Sequence, residues 1–247
     1  MKLAQRIGEI ASVYSLETQD VVELLREATS ESIELRKGED IGAYYKNNNI
    51  VFIVKENINP LLRLDYTSGN EAARIIDITK NRNLYKNILV KFQQKLEECS
   101  ARTSLIKILE LKKHGSGICK GEIVRLTRNG FFVKTAYGSA FCRNNQQVLK
   151  EAEIGLYKHE KVLDFYIKDA SISEGKLRIN VSRTAEELTN FIIQENFSTE
   201  AVLFNVKRKC GVYVRIYHDA RITPSDEMTK KLRYLFGGEN IIYRAVL

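Results

Sequence analysis

Aromatic and basic side chains that could bind nucleic acid are concentrated between Gly117 and Arg143. Phe131 and Phe132 are adjacent in a segment of β-strand composition, so their rings point to opposite faces and only one can enter a core. Stacking of a base on an exposed ring contributes about 1–3 kcal/mol per base, and nearby cations can track phosphates. Lys134 shares the face of Phe132. Further basic candidates in this segment are Lys120, Arg128 and Arg143.

Residue patterns for catalysis or metal binding do not occur in the sequence. The aspartates show no clustering by spacing, and the Gly237-Gly238 pair belongs to neither a P-loop nor a dinucleotide fingerprint. The 4 cysteines and 3 histidines are scattered, without metal-ligand spacing. We therefore expect no enzymatic activity, no catalytic residues, no metal and no cofactor, and we expect reduced thiols.

Composition and charge favour a basic globular protein with an anionic partner. The chain has 247 residues, 44% hydrophobic and 28% charged, which allows one large domain or two to three small ones. Its net charge of +8 favours nucleic acid first and a membrane surface second. No apolar run approaches the roughly 18 residues of a spanning helix, and Arg6 and Glu9 interrupt the apolar N-terminus. We expect a cytoplasmic protein without a membrane partner.

The N-terminal third is predicted to combine helices with a small sheet. Apolar spacing predicts one helix from Leu3 to Tyr14 and a second from Thr18 to Gly38. Two β-rich runs then flank Asn47–Asn49, which indicates a hairpin. A third strand is predicted around Leu61–Tyr66, after Pro60.

A long helical segment is predicted to complete the first domain. Helical spacing returns from Glu71 to about Lys113, with Asn81–Asn83 and Ser100 as possible breaks. His114–Gly117 then reads HGSG, and its glycines favour a domain boundary. We therefore assign residues 1–113 to an N-terminal domain.

Short strands dominate the next segment, and a mixed pattern follows it. Five predicted strands, with an Asn129-Gly130 turn and a Glu174-Gly175 turn, favour a small closed sheet of the OB type over residues 114–184. The fold class is thus an α+β multidomain protein. Residues 185–247 are predicted as helix Ala185–Gln194, strands Glu200–Lys207 and Val212–His218, a helix at about Pro224–Phe236, and strand Asn240–Val246.

The segment around Gly130 resembles the RNA-binding barrel named after ribosomal protein S-one. Gly130-Phe131-Phe132-Val133, followed by a small-residue turn into Phe141, carries the resemblance. In the register of that motif Phe132 takes the exposed aromatic place, which implies RNA contacts at Phe132, Lys134 and Arg143. Asn129 stands where the motif has a second aromatic, and the usual histidine after the third strand has no counterpart. The alternative is an OB barrel with an ordinary solvated basic face.

Several segments resemble, in order, the NusA family of bacterial transcription factors. INVSRTAEEL resembles the family's junction after the barrel, and GSAFCRNNQQV resembles a barrel segment in which Cys142 replaces proline. YKHEKVLDFYIKD resembles the next strand entry, with Glu160 in place of Gly-Asp, and LFGGENIIYRAV resembles the end of the first KH domain. Residues 1–113 fit the polymerase-binding domain of that family in the order and kind of their elements.

The tail departs most from that family. A KH domain grips backbone nucleotides with a GXXG loop between two helices. Between Ile222 and Ile241 there is no GXXG, and there is room for only one helix. Gly237-Gly238 takes a helix C-cap position instead. We interpret residues 185–247 as a degenerate KH-like domain, in which Lys207–Lys209 is either a basic edge or a solvated charge run.

Ser182-Arg183-Thr184 is predicted to join the barrel to the following helix. Ser182 or Thr184 could cap the helix, and Glu186 and Glu187 suit its positive dipole end. Such a short junction would fix the angle between two domains. The alternative is that Arg183 contacts RNA.

The resemblance implies a NusA-like factor for transcription elongation, pausing, termination or antitermination. Such a factor would bind core RNA polymerase through residues 1–113 and single-stranded nascent RNA through the barrel, and we expect a monomer. The alternatives are a stand-alone RNA-binding regulator or ribosome-associated module, and a scaffold that binds only proteins.

Overall fold

The protein is an α+β protein, as the sequence predicts. The computed structural model describes residues 3–33, 39–46, 49–56, 74–76, 82–196, 203–220 and 224–246. These residues form 6 α-helices and 11 β-strands. Contacts divide the chain into two compact units, Met1–Ala101 and Arg102–Leu247. The division falls within a helix, and the domain boundaries at 113 and 184 stay predictions.

Three helices build the core of the first unit. Helix α1 spans Leu3–Tyr14, α2 spans Thr18–Ser30, and α3 begins at Arg82. Their apolar residues recur at helical spacing, so each helix buries one stripe. The buried residues that pack together are Ile7, Ala11, Val21, Leu25, Ala28, Ile88, Phe92 and Leu96.

A three-stranded sheet belongs to the same unit. Strands β1 (Glu39–Lys46) and β2 (Asn49–Glu56) are antiparallel, with Lys46 opposite Asn49, which confirms the predicted strand pair. Strand β3 (Arg74–Ile76) pairs with β2, so the helix predicted from Glu71 is wrong at this position. Ile75 and Ile76 are β-branched and pair well in a sheet, and pairing with β2 overrides their helical spacing. The strand predicted at Leu61–Tyr66 lies outside the described residues.

Helix α3 is continuous from Arg82 to His114, so the predicted break at Ser100 is wrong. A serine costs only about 0.5 kcal/mol in a helix interior, which buried apolar residues on both sides of Ser100 readily offset. Arg82, within the other predicted break, is the first residue of the helix. Lys112, Lys113 and His114 in the last turn suit the negative end of the helix dipole.

Five strands form a mixed sheet in the second unit. Their order is β4-β5-β6-β8-β7, and β7 also pairs with β4. All neighbours are antiparallel except β6 and β8, which meet through two residue pairs in parallel orientation. The strands are β4 (Ile118–Thr127), β5 (Gly130–Thr135), β6 (Gly138–Arg143), β7 (Val162–Ser173) and β8 (Lys176–Ser182), with helix α4 (Leu149–Glu153) between β6 and β7.

Alternation along these strands separates a core face from an outer face. Phe131 is 1% exposed and packs against Tyr157 and Phe165, whereas Phe132 is half-buried on the opposite face. This confirms that the two rings point to opposite faces. Ile108 of α3 is fully buried in the same core. The remaining core residues include Ile123, Val133, Ala140, Cys142, Ile167, Ile179 and Val181.

The C-terminal segment folds as two helices on one face of a three-stranded sheet. Strand β9 is antiparallel to β10, and β11 is parallel to β10. Among the described residues a single helix connects β10 to β11, as predicted. The elements are α5 (Glu186–Asn196), β9 (Leu203–Lys209), β10 (Tyr213–Asp219), α6 (Asp226–Leu235) and β11 (Asn240–Val246). The core between the two layers includes Leu188, Ile193, Val214, Ile216, Leu232 and Phe236.

Gly130 and Gly138 form a matched pair that tests the packing of β5 against β6. Gly130 has φ +149°, and a Cβ atom there would lie 2.1 Å from the carbonyl oxygen of Cys142. Gly138 has φ +123°, with no atom within 4 Å of such a Cβ. We expect Gly138→Ala to lower the free energy of unfolding by about 1–2 kcal/mol through backbone strain. Gly130→Ala should cost about 2 kcal/mol more, because overpacking adds to that strain.

Urea denaturation followed by circular dichroism measures both changes. Equal losses of unfolding free energy for the two variants would contradict this explanation. They would show that β5 and β6 can pack as closely when residue 130 has a side chain.

Candidate nucleic-acid interface

The outer face of β5 and β6 carries a pair of aromatic rings. Phe132 on β5 lies opposite Phe141 on β6, and their ring centroids are 5.0 Å apart with the planes tilted by 50°. Both side chains are half-buried, whereas their neighbours along each strand point to the opposite face and are fully buried. Two rings side by side on an open sheet face can stack on unpaired bases.

Arg125 completes a row across three strands. A register shift between Ile123 and Arg125 places Arg125 opposite Phe132, and its Cζ atom lies 4.5 Å from the centroid of that ring. This distance is typical of a cation–π contact. The guanidinium therefore lies at the edge of the aromatic pair, where it can contact a stacked base or a phosphate.

The structure places three predicted residues on this outer face and two at its margins. Phe132, Lys134 and Arg143 lie together, with Lys134 and Arg143 exposed. Arg128 is exposed in the turn between β4 and β5, and its carbonyl oxygen accepts a hydrogen bond from Asn144. Lys120 is exposed on β4 but lies opposite Asp164 of β7. Lys134 likewise lies opposite an acidic residue, Glu122 of β4, so each of these two lysines has an acidic neighbour on the adjacent strand.

The sequence interpretation did not include Phe141 and Arg125, although turn lengths point to both. Arg128-Asn129 is a two-residue loop between Thr127 and Gly130, and counting back from it pairs Arg125 with Phe132. The corresponding loop between Thr135 and Gly138 pairs Phe132 with Phe141. Loop length fixes the register of a hairpin, so the sequence alone indicates both residue pairs.

The second unit also contains a buried carboxylate. Glu151 of α4 is fully buried and accepts two hydrogen bonds from Arg183, from Nε at 2.9 Å and from Nη2 at 2.8 Å. The Tyr157 hydroxyl donates a further bond of 2.6 Å to Glu151 and accepts one from the Val148 amide. Arg183 also donates to the carbonyl oxygen of Asp164. A buried charge needs such a complete set of partners.

Arg208 and Glu239 extend this network into the C-terminal sheet. Arg208 of β9 donates two hydrogen bonds to Glu239, at 2.9 and 2.8 Å, and lies 3.6 Å from Glu151. It also donates to the carbonyl oxygen of Arg183. Glu239 is fully buried and accepts a bond from the Gly211 amide. Glu151, Arg183, Arg208 and Glu239, here called the junction network, thus connect the five-stranded sheet to the C-terminal segment.

The Ser-Arg-Thr segment lies at this junction, although its side chains act differently from the prediction. Arg183 is 3% exposed, which argues against the alternative that it contacts RNA. The residue before α5 is Ala185, whose methyl group cannot cap the helix. Ser182 Oγ instead accepts a hydrogen bond from the Thr184 amide, which stabilises the turn. Glu186 and Glu187 lie in the first turn of the helix, as the dipole argument requires.

Burial controls the titratable groups around the junction network. Burial raises the pKa of Tyr157, and the Glu151 carboxylate raises it further, so the hydroxyl stays a donor. Burial also raises the pKa of the Cys142 thiol to about 12. Burial lowers the pKa of Arg183, but the adjacent Glu151 carboxylate more than offsets this, and the net shift is upward. Arg183 therefore keeps its positive charge at neutral pH.

No protein-family model matches this chain, and a search of curated proteins found no match. Within the described ranges, none of the helices combines the length and apolar character that crossing a membrane requires. The same residues contain no group of three or more histidine, cysteine or acidic side chains placed to hold a metal ion.

Glu151 and Glu153 of α4 test the junction network as a matched pair. Glu151→Ala removes the carboxylate that faces Arg183 and should lower the free energy of unfolding by about 3–5 kcal/mol, because a buried cation loses its partner. Glu153 is exposed, and Glu153→Ala should change stability by at most about 0.5 kcal/mol. Urea denaturation measures both, and a Glu151→Ala protein as stable as the Glu153→Ala control would contradict the assigned role.

Proposed function

We propose that the protein binds single-stranded RNA through the outer face of β5 and β6. The observation that carries this proposal is the row of Arg125, Phe132 and Phe141, in which a guanidinium and two half-buried rings share one face. Lys134 and Arg143 would contact the phosphates on either side of the row. The net charge of +8 on the chain favours binding of an anionic polymer such as RNA.

The five-stranded sheet supports an OB-type domain in this proposal. Its order, β4-β5-β6-β8-β7 with a short parallel contact between β6 and β8, is compatible with a partly open five-stranded Greek-key barrel. OB domains bind oligonucleotides on the face of their second and third strands and with the loop between the first and second. In this protein those elements are β5, β6 and the turn that carries Arg128.

The wider proposal is a NusA-like transcription factor without enzymatic activity. The ordered sequence resemblances support it, and the fold of residues 185–247 is compatible with a reduced KH-like domain. In this proposal residues 1–113 dock on core RNA polymerase and the five-stranded sheet meets nascent RNA. The protein then acts as a monomer in the cytoplasm. The junction network would hold the C-terminal segment against the sheet during these contacts.

Substitutions at Phe132 test the RNA contact. Phe132→Leu keeps apolar bulk but removes the π face, so affinity for a single-stranded 12-nucleotide RNA should fall about 5- to 150-fold, the equivalent of one stacked base. Phe132→Tyr should retain binding. The control is Tyr234→Leu, on an aromatic residue of α6 that is 60% exposed. Fluorescence anisotropy with a labelled RNA measures all three, and equal affinity of Phe132→Leu and wild type would refute the stacking role.

Comigration with core RNA polymerase in size-exclusion chromatography tests the wider proposal. The full chain should comigrate, whereas a chain that begins at Arg102 should not. The cut belongs before Arg102 because Ile108 lies in the core of the five-stranded sheet, which a cut at residue 113 would open. Circular dichroism of the shortened chain checks that it folds.

The outcome also separates the alternative functions. RNA binding by a full chain that does not comigrate with polymerase would favour a stand-alone regulator or ribosome-associated module. A chain that binds neither would favour a protein-only scaffold.

A further inference from the structure

In the part of the chain that the structure describes, α5 and α6 cover one face of the C-terminal sheet, and alternate residues of β10 lie on the opposite face. Inward residues of β10, such as Val214 and Ile216, pack against α5 and α6. Residues at alternate positions, Tyr213, Arg215 and Tyr217, therefore point to the other face, and all three are only half-buried. We call the side chains on this side the C-terminal sheet face.

The centre of the C-terminal sheet face is an aromatic–guanidinium–aromatic row along β10. The Arg215 guanidinium lies over the Tyr213 ring, with Cζ 5.0 Å from its centroid. The Arg215 guanidinium beside the Tyr217 hydroxyl also lowers the pKa of Tyr217. The Nε atom of Arg215 is buried and has no hydrogen-bond partner among the described residues.

Cations surround this row on both neighbouring strands. On β9, Lys209 lies opposite Tyr213 and Lys207 lies opposite Arg215, and both are exposed. The Lys207 ammonium is 6.0 Å from the centroid of the Tyr217 ring. On β11, the exposed Arg244 lies opposite Tyr217. Among the described residues of this face, Asp219 at the end of β10 is the one acidic side chain.

We infer that the C-terminal sheet face is a second binding surface for single-stranded RNA, distinct from the outer face of β5 and β6. Tyr213 and Tyr217 would stack on bases, and Lys207, Lys209 and Arg244 would contact phosphates.

The chemistry of this face fits RNA. Strand geometry separates the two tyrosines by about 13 Å, with a cation between them, which suits an extended chain of alternating bases and phosphates. A three-stranded sheet with exposed aromatics can stack unpaired bases, as the sheets of RNA-recognition motifs do. The helices do not take part, so the surface needs no GXXG loop. A duplex would not fit, since its bases are not free to stack on tyrosine.

All residues of this surface lie in the C-terminal sheet, so RNA binding there requires neither RNA binding by the outer face of β5 and β6 nor contact with polymerase.

Matched substitutions test the surface in the full-length protein. The probe is a fluorescein-labelled 12-nucleotide oligouridylate at low salt, followed by anisotropy. In a Phe132→Leu background, where the outer face of β5 and β6 no longer masks the change, Tyr217→Leu should weaken the remaining binding about 5- to 150-fold, and Lys207→Gln should make the dependence of affinity on salt less steep by about one phosphate contact. Tyr234→Leu and Lys231→Gln alter exposed residues of α6 and serve as controls. Equal losses in the variants and their controls would overturn the inference, because they would indicate unspecific charge attraction.

Photocrosslinking of the unaltered protein gives a second readout that does not depend on the stability of a variant. A 12-nucleotide RNA with 4-thiouridine should crosslink to the peptide that contains Tyr213 and Tyr217. Crosslinks confined to the Phe132 and Phe141 peptides would overturn this inference and leave the proposed function intact. Crosslinks confined to the Tyr213–Tyr217 peptide would support the inference and contradict the proposed role of Phe132.

Discussion

The buried carboxylate of Glu151 is the constraint on which the second unit depends. A charge with no solvent contact must be matched inside the protein, and Glu151 is matched by Arg183, Tyr157 and the nearby Arg208. These partners come from the end of β8, from the loop after α4 and from β9. The same carboxylate therefore connects the five-stranded sheet with the C-terminal sheet. Two arginines and two glutamates leave the junction network without net charge, so it can be buried as a unit.

The junction network uses the arginine of the Ser-Arg-Thr segment in a buried ion pair, which makes this segment a structural joint. The side chains available to a ligand are then the outward residues of the sheets. On β5 and β6 those residues include Phe132 and Phe141, and on β10 they include Tyr213 and Tyr217. Both faces combine half-buried rings with an arginine that lies over one of them. Strand alternation produces this division, because the inward half of each strand is committed to a core.

Local patterns predicted the strands and helices of the second unit well, including the opposite faces of Phe131 and Phe132. These local patterns gave wrong predictions where pairing between residues distant in sequence determines the structure. Arg74–Ile76 has helical spacing but pairs with β2, and Ser100 is an apparent break that neighbouring buried residues override. Glu151 and Glu239 could not be assigned from sequence, because nothing in their local spacing shows that they meet arginines 32 and 31 residues away. Arg125 and Phe141, by contrast, follow from two-residue turns.

A buried ion-pair network of this kind is better suited to fixing an arrangement than to adding stability. Removing two charges from water costs several kcal/mol per ion, and apolar residues of equal volume often stabilise a protein as well. The contribution of the network is the fixed geometry that it imposes on the segments it joins. Arg183 and Arg208 each bind a carboxylate through two nitrogens, which restricts direction as well as distance. A Cβ atom at Gly237 would lie 2.6 Å from Cγ of Glu151, so the chain approaches the network too closely for a side chain there. An arrangement held in this way keeps the outer face of β5 and β6 and the C-terminal sheet face in a constant relation, which an apolar joint able to slide would not guarantee.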